Sequence, residues 1–252
     1  MFAKGGYVSL PGALAARSLG IPVVCHESDF SLGLANKAIS RFAQCTLTSF
    51  EATKARRSIF TGNPVRTELT LANAQNAMRA CAFSRAARVV LFVGGSGGAA
   101  AINKAVDCAL PSLVRDFNVV HICGQGNLRP PSPGYRCFEF VDNIFDFFAY
   151  ADVVVSRSGA NAACELSAMG KRVIFVPLPQ GASRGDQIEN AKAYAASGAK
   201  ILDQSRLDTY ELVCAITDIL SKPAPLPDLS SLKAAPNIAE IVYKVAKREK
   251  FA

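Results

Sequence analysis

The chain has 252 residues, half of them hydrophobic, so it is long enough for two modest domains and too apolar to be disordered. Its formal net charge of +8 favours an anionic partner, such as a phosphate group or an acidic lipid. Nucleic acid is not expected as a partner, because the lysines and arginines are scattered and no basic run is interleaved with aromatic residues. We expect neither a membrane span, which needs about eighteen consecutive apolar residues, nor a signal peptide.

The eight cysteines are spread along the chain without a C-x-x-C spacing, and most of them fall in apolar segments. They are therefore expected to be buried thiols in a reducing cytosol rather than disulfides or zinc ligands. The chain has two histidines, so a histidine-based metal centre is not expected either. These features predict a cytoplasmic protein.

Short β-branched segments alternate with helical segments along the whole chain. The clearest predicted strands lie at residues 21–24, 89–93, 119–123, 153–156, 172–176 and 200–202. The clearest predicted helices lie at residues 11–19, 68–80, 161–169, 187–197 and 238–247. This alternation is typical of right-handed βαβ units and predicts an α/β fold with parallel sheets.

A bend at residues 61–66, which contains Gly62 and Pro64, predicts a domain boundary. We therefore expect a first domain at residues 1–65, a second at 66–235 and a C-terminal helical segment at 236–252. Residues 1–60 contain only about two predicted strands, which is too few for a free-standing sheet of this kind. We expect the opening half of the first domain to be missing.

A glycine-rich turn at residues 93–99 lies between a predicted strand and a predicted helix. In this arrangement backbone N–H groups and the positive end of the helix converge on a phosphate. Gly95, Ser96 and Gly97 are therefore candidates for a phosphate site, and the alternative is a plain strand–helix turn without a ligand. A second glycine turn, Gly5–Gly6, precedes the first predicted helix.

Polar residues follow other predicted strands, at the sheet edge where open α/β proteins bind ligands. Glu165 either accepts the hydroxyls of a ribose or points into solvent. Val141 either presents its backbone to a flat base or belongs to an ordinary turn. Asp186 and Gln187 either bind sugar hydroxyls or, in the case of Asp186, cap the following helix.

A histidine and a glutamate, His26 and Glu27, follow the first predicted strand. The pair is either an acid–base pair or a buried structural imidazole with its neighbour. The second histidine, His121, lies in the middle of a predicted strand and is expected to be a core residue.

The order of these motifs resembles the MurG family of bacterial glycosyltransferases from residue 5 to about residue 245. The motifs that carry the resemblance are at residues 5–9, 26–27, 33–37, 62–66, 94–96, 140–142, 156–160, 165–166, 177–179 and 186–191. The resemblance implies a GT-B fold with two Rossmann-like parallel-sheet domains, the first of them incomplete here. It also implies that the C-terminal helix packs back on the first domain.

The resemblance implies an inverting glycosyltransferase of peptidoglycan synthesis. It would move N-acetylglucosamine from UDP-N-acetylglucosamine to the C4 hydroxyl of undecaprenyl-diphospho-N-acetylmuramoyl-pentapeptide. No metal or other cofactor is implied, and the enzyme would be cytoplasmic and peripheral on the inner face of the membrane. A relative that acts on another acceptor lipid is an alternative, because the fold does not determine the acceptor.

The same resemblance implies roles for individual residues. Donor-binding residues are expected at Arg66, Gly95, Ser96, Gly97, Val141, Glu165, Asp186 and Gln187. Acceptor-binding residues are expected at Gly5, Gly6 and Asn36, with His26 and Glu27 as candidate catalytic residues. The family's first glycine turn, which carries a candidate catalytic histidine, has no counterpart here, so transfer by this chain alone is expected to be weak. The alternative function is a non-catalytic UDP-sugar-binding subunit that acts with a separately encoded N-terminal half.

Overall fold

The computed structural model describes residues 1–95 and 98–249. Contacts between Cα atoms divide the chain into two compact units. The first unit contains the described residues of Met1–Val65, Gly159–Cys164 and Leu229–Ala252. The second contains those of Arg66–Ser158 and Glu165–Asp228.

Strands and helices alternate along the described residues. The strands are β1 (Phe2–Ala3), β2 (Val24–Glu27), β3 (Cys45–Thr48), β4 (Ser58–Phe60), β5 (Arg88–Val93), β6 (Phe117–Ile122), β7 (Tyr135–Phe138), β8 (Val153–Ser156), β9 (Arg172–Phe175) and β10 (Lys200–Ile201). The α-helices are α1 (Ser9–Ser18), α2 (Leu34–Ile39), α3 (Ala74–Cys81), α4 (Ala100–Asp116), α5 (Ile144–Tyr150), α6 (Ala160–Ala168), α7 (Asp186–Ala195), α8 (Thr209–Leu220) and α9 (Ala234–Ala246). The predicted α/β class with parallel sheets is confirmed. None of the helices in the described ranges is both long and apolar enough to cross a bilayer.

The first unit is built on a parallel sheet whose described strands have the order β1-β2-β3-β4. The prediction of about two strands in residues 1–60 is therefore wrong. The reason is length, because β1 has two residues and β4 has three, too few to show an alternating pattern in the sequence.

Helices cover both faces of this first sheet. Neighbouring residues of β2 point to opposite faces, as in any strand. Cys25 packs in the cluster that contains residues of α1 and α2, whereas Val24 packs against Ile238 and Val245 of α9. Helix α9 begins at Ala234 rather than at the predicted residue 238, because a proline is tolerated in the first turn of a helix.

The second unit is built on a parallel sheet whose described strands have the order β10-β9-β8-β5-β6-β7. The chain adds β6 and β7 on one side of β5 and then β8, β9 and β10 on the other. The order reverses between β5 and β8. A crevice forms at such a reversal, next to the carboxyl ends of the strands. In open α/β sheets, ligands bind in this crevice.

The segment between the two sheets differs from its prediction. The helix predicted at 68–80 is a 3₁₀ turn at Thr67–Leu71 followed by α3. The break occurs at Asn73, whose side chain accepts a hydrogen bond from the Gln75 N–H and so caps the start of α3.

Asp146 joins α5 to the start of α3. Its buried carboxylate accepts hydrogen bonds from the Asn73 N–H at 2.7 Å and from Asn76 Nδ2 at 2.9 Å. Asp146→Ala leaves both donors without this partner, so we expect it to lower the free energy of unfolding by about 2–3 kcal/mol in urea titrations. The control is Asp107→Ala, which removes an ion pair between Asp107 and Arg129. The Asp107 side chain is 43% exposed, so this variant is expected to cost less than about 1 kcal/mol of stability. Equal losses in the two variants would contradict this prediction.

Candidate functional site

The glycine turn between β5 and α4 lies at the reversal of strand order. A Cβ on Gly94 would collide with the backbone nitrogen of Ala99, and a Cβ on Gly98 would lie 2.5 Å from the Cys123 carbonyl oxygen. Gly98 donates its N–H to the Gly95 carbonyl at 3.0 Å and has a φ of +73°, which favours glycine. The two glycines therefore let the backbone pass close to its neighbours.

The start of α4 has no side-chain cap in the described part of this turn. Ala99 is the N-cap residue, and no described side chain caps the helix there. The first N–H groups of a helix need partners, and an anion can supply them. The predicted residues Ser96 and Gly97 lie outside the described residues. The predicted phosphate role of this turn, including that of Gly95, stays a prediction.

Glu165, in α6, forms a bidentate ion pair with Arg66. Arg66 Nε lies 2.8 Å from Glu165 Oε1, and the second guanidinium nitrogen lies 3.1 Å from Oε2. The guanidinium carbon also lies 4.5 Å from the centre of the Phe145 ring, so Arg66 is held from two sides. Glu165 is only 5% exposed, and the alternative in which it points into solvent is wrong.

The start of α7 is tied to the turn that follows β8. Ser158 Oγ donates to the Gln187 carbonyl at 2.7 Å, and Asn190 Nδ2 donates to the Ser158 carbonyl at 3.2 Å. The Gln187 side chain accepts from the Leu178 N–H at 3.1 Å. These bonds hold the first turn of α7 at the carboxyl edge of the sheet.

Asp186 is the first residue of α7, and Gly185 is its N-cap residue. The alternative in which Asp186 caps the helix is therefore wrong. Its Oδ1 atom is buried and has no hydrogen-bond partner among the described residues. A buried acceptor without a partner is available to a ligand hydroxyl.

Val141 lies in the connection between β7 and α5, because β7 ends at Phe138 rather than near residue 140. Its neighbour Phe140 is 72% exposed, and Asn143 caps α5 by accepting from the Phe145 N–H. The prediction that Val141 reads a flat base stays a prediction.

The structure brings most of the predicted donor residues to one edge of the second sheet. Val93 pairs with Ser156 in the sheet, so the glycine turn after β5 lies beside the turn that leads into α6 and Glu165. Sequence reasoning missed Phe145 altogether. It placed Ser158 and Asn190 in motifs of the resemblance but gave them no role of their own. The contacts of all three residues join segments far apart in the chain, so no local pattern in the sequence predicts them.

In the first unit, the predicted acceptor residues form one hydrogen-bonded group. Asn36 Nδ2 donates to the His26 carbonyl at 3.0 Å and to Glu27 Oε2 at 2.9 Å. A Cβ on Gly5 would lie 2.8 Å from the same Nδ2 atom, so the first glycine of the turn packs directly on Asn36. Gly6, the second glycine, has open space around its Cα.

His26 and Glu27 are the last two residues of β2, not residues that follow a strand as predicted. His26 is fully buried, and its Nε2 donates to the Gly62 carbonyl at 3.1 Å, so its lone pair is on Nδ1. Burial lowers the pKa of His26. The Glu27 carboxylate accepts from the N–H groups of Asp29 and Gly33 at 3.1 and 2.8 Å. Glu27 thus holds the loop after β2, whereas His26 holds the turn after β4, and the catalytic role of both residues stays a prediction.

Both histidines are buried, which predicts how stability depends on pH. Burial lowers the pKa of His26, and it lowers the pKa of His121 to about 4. The unfolded chain takes up these protons near pH 6.5, so stability is complete above about pH 6.5 and falls below it. Urea titrations at about pH 7 and 5 should show a loss of up to ~1.4 kcal/mol per pH unit from His121, and a further loss in the same direction from His26. His121→Gln should make the loss smaller, and an unchanged pH dependence in that variant would contradict the prediction.

In the described ranges, no three His, Cys, Asp or Glu side chains are grouped closely enough to hold a metal ion.

Glycosyltransferases of the GT-B class have two units, each built on a parallel α/β sheet, and this chain has that fold. Residues 89–247 match the glycosyltransferase family 28 C-terminal domain, and residues 1–48 match the glycosyltransferase family 28 N-terminal domain. The chain belongs to glycosyltransferase family 28, and the resemblance to MurG is confirmed.

Two curated relatives have the same enzymatic activity in their names. UDP-N-acetylglucosamine–N-acetylmuramyl-(pentapeptide) pyrophosphoryl-undecaprenol N-acetylglucosamine transferase of Lachnospira eligens is 41% identical over 225 residues, which are 86% of this chain and 64% of the relative. The protein of the same name from Clostridium botulinum is 35% identical over 254 residues, 97% of this chain and 71% of the relative. The crystal structure of Acinetobacter baumannii MurG is 29% identical with a TM-score of 0.71 and covers 98% of this chain and 72% of that one. The chain thus spans about two thirds of the length of these proteins.

Proposed function

We propose that this chain binds UDP-N-acetylglucosamine in its second unit and transfers the N-acetylglucosamine to a lipid-linked acceptor. The acceptor that we propose is the C4 hydroxyl of undecaprenyl-diphospho-N-acetylmuramoyl-pentapeptide. One observation carries the proposal: the buried Glu165 carboxylate, held by Arg66, is in the helix after β8, and β8 pairs with β5, which leads into the glycine turn at the reversal of strand order. The names of the relatives support the choice of donor and acceptor.

The donor roles follow from the chemistry of each group. A carboxylate has about four acceptor positions, so Glu165 can keep Arg66 on two of them and accept two ribose hydroxyls on the others. The start of α4 receives the diphosphate, because its N–H groups and its positive end both favour negative charge. Val141 lies at the uracil, while the unpartnered Asp186 Oδ1 and the Gln187 side chain receive sugar hydroxyls.

The proposed reaction is a single inverting displacement. The acceptor oxygen forms a bond to the anomeric carbon while the bond from that carbon to the UDP oxygen breaks, and UDP leaves with the electron pair. The hydroxyl proton passes to a base, for which His26 and Glu27 are the candidates in this chain. The start of α4 offsets the charge that develops on the leaving diphosphate.

The acceptor side of the proposal rests on the first unit. The turn Gly5–Gly6 leads into α1, and Gly5 packs on Asn36. We propose that this turn receives the acceptor diphosphate. We also propose that the protein works at the cytoplasmic face of the membrane, where its net charge of +8 favours anionic lipid.

Isothermal titration calorimetry with UDP-N-acetylglucosamine tests the donor half of the proposal, with GDP-mannose as the control nucleotide sugar. We expect binding of the uridine nucleotide alone, and equal affinity for both would overturn the proposal. Incubation with radiolabelled donor and the lipid-linked acceptor tests transfer, with label expected in the lipid fraction. Donor binding without any transfer would instead favour a UDP-sugar-binding subunit.

A further inference from the structure

A row of buried polar groups connects β7, β6 and α4 within the second unit. His121, in β6, is fully buried, and its ring contacts Asn103, Tyr135 and the Cys137 thiol, whose Sγ lies 4.0 Å from Nδ1. Its Nε2 lies 2.9 Å from Asn103 Oδ1, and its Nδ1 lies 3.0 Å from the Tyr135 hydroxyl. Asn103 lies near the start of α4, and its Nδ2 lies 2.9 Å from the Cys123 carbonyl oxygen.

The Cys123 carbonyl determines how the hydrogens of Asn103 and of His121 Nε2 are arranged. A carbonyl can only accept, so the amide nitrogen of Asn103 faces Cys123 and the amide oxygen faces His121. His121 therefore donates from Nε2 and accepts the Tyr135 hydroxyl proton at Nδ1. Burial favours this neutral form, because it lowers the pKa of His121 to about 4 and raises the pKa of Tyr135.

The row ends on the glycine turn. The Cys123 carbonyl, which Asn103 holds, is the group that a Cβ on Gly98 would meet at 2.5 Å. The Cys123 carbonyl therefore packs against Gly98, the last glycine before α4, and accepts a hydrogen bond from Asn103 near the start of α4. The position of Asn103 sets the distance between the strand end and the turn.

We propose that His121 is a positioning residue of the donor site, which acts through Asn103 to hold the Cys123 carbonyl against Gly98 and so fixes the start of α4. The inference rests on the proposed function, because that proposal assigns the donor diphosphate to this turn. His121 is fully buried, so its effect on the ligand is indirect. A substitution of His121 should therefore change the affinity of the site for a nucleoside diphosphate and leave its affinity for the nucleoside unchanged.

The test compares His121→Leu, Asn103→Ala and the double variant by calorimetry with two probes, UDP and uridine. Each single variant loses two hydrogen bonds of the row, including the one between His121 and Asn103. UDP affinity is therefore expected to fall about 5- to 10-fold while uridine affinity stays within about twofold. Because His121 acts through Asn103, the double variant should bind UDP no more weakly than Asn103→Ala alone. His121→Gln keeps an N–H at the position of Nε2 and should restore UDP affinity to within about twofold of the unaltered chain.

Several outcomes would overturn the inference. These are unchanged UDP affinity in both single variants, an equal loss for UDP and uridine, or additive losses in the double variant. If His121→Leu does not fold, Asn103→Ala and His121→Gln still give opposite expected results. If the unaltered chain does not bind UDP, the proposed function itself is overturned. If the unaltered chain and all of the variants bind UDP normally, only the positioning role of His121 is overturned.

Discussion

Glu165→Ala is expected to weaken UDP binding by about 1–3 kcal/mol, roughly 5- to 150-fold, in isothermal titration calorimetry. The buried carboxylate is the acceptor that we assign to the ribose hydroxyls, and alanine leaves those hydroxyls without it. The substitution also removes the bidentate partner of Arg66, which then keeps its contact with the Phe145 ring. Loss of the ribose contact and loss of the group that holds Arg66 are both expected to weaken binding.

The matched control is Glu211→Ala in α8. Glu211 also pairs with an arginine, Arg206, but this pair is on the surface of the same unit. UDP affinity should not change in the control. Uridine binding should fall together with UDP binding in Glu165→Ala, because the ribose is common to both. Unchanged UDP affinity in Glu165→Ala would contradict the ribose assignment.

Gly98→Ala is expected to lower the free energy of unfolding by about 2–4 kcal/mol and to weaken UDP binding more than about tenfold. Two costs add in this variant. A non-glycine residue at a φ of +73° costs about 1 kcal/mol, and the new Cβ, at 2.5 Å from the Cys123 carbonyl oxygen, must push strand end and turn apart. The displaced turn would no longer present the start of α4 to the diphosphate.

Gly126→Ala separates these two costs. Gly126 has a φ of +75°, and nothing lies within 4 Å of a Cβ built there. This control should lose about 1 kcal/mol of stability, from the backbone conformation alone, and bind UDP normally. Equal losses of stability and affinity in the two variants would contradict the role of the close packing at Gly98.

The sequence predicts the parts of this site that depend on neighbouring residues. The buried strand β5, the glycine turn and α4 are contiguous, so hydrophobic patterning and glycine spacing identify them together. The position of Glu165 on a helix after a small-residue turn follows from the same kind of pattern. Elements of two or three residues, such as β1 and β4, are too short for any pattern and were missed.

Contacts between distant segments could not be predicted in this way. Arg66 and Glu165 are 99 residues apart, and the family resemblance implies a donor role for each without showing that they pair. His121 was expected to be a core histidine, and it is buried, but its bonds to Asn103 and Tyr135 depend on the register of β6 with β5 and β7. Packing of the sheet determines such contacts, and the sequence of a single strand does not determine its register with the neighbouring strands.

A crystal structure of the chain with UDP-N-acetylglucosamine tests the central claim most directly. The account predicts the ribose hydroxyls within hydrogen-bond distance of the Glu165 carboxylate, the diphosphate at the start of α4 and the uracil at Val141. It also predicts a sugar hydroxyl on Asp186 Oδ1, which has no partner among the described residues. A nucleotide bound elsewhere, with Glu165 making no contact to the ribose, would contradict the account.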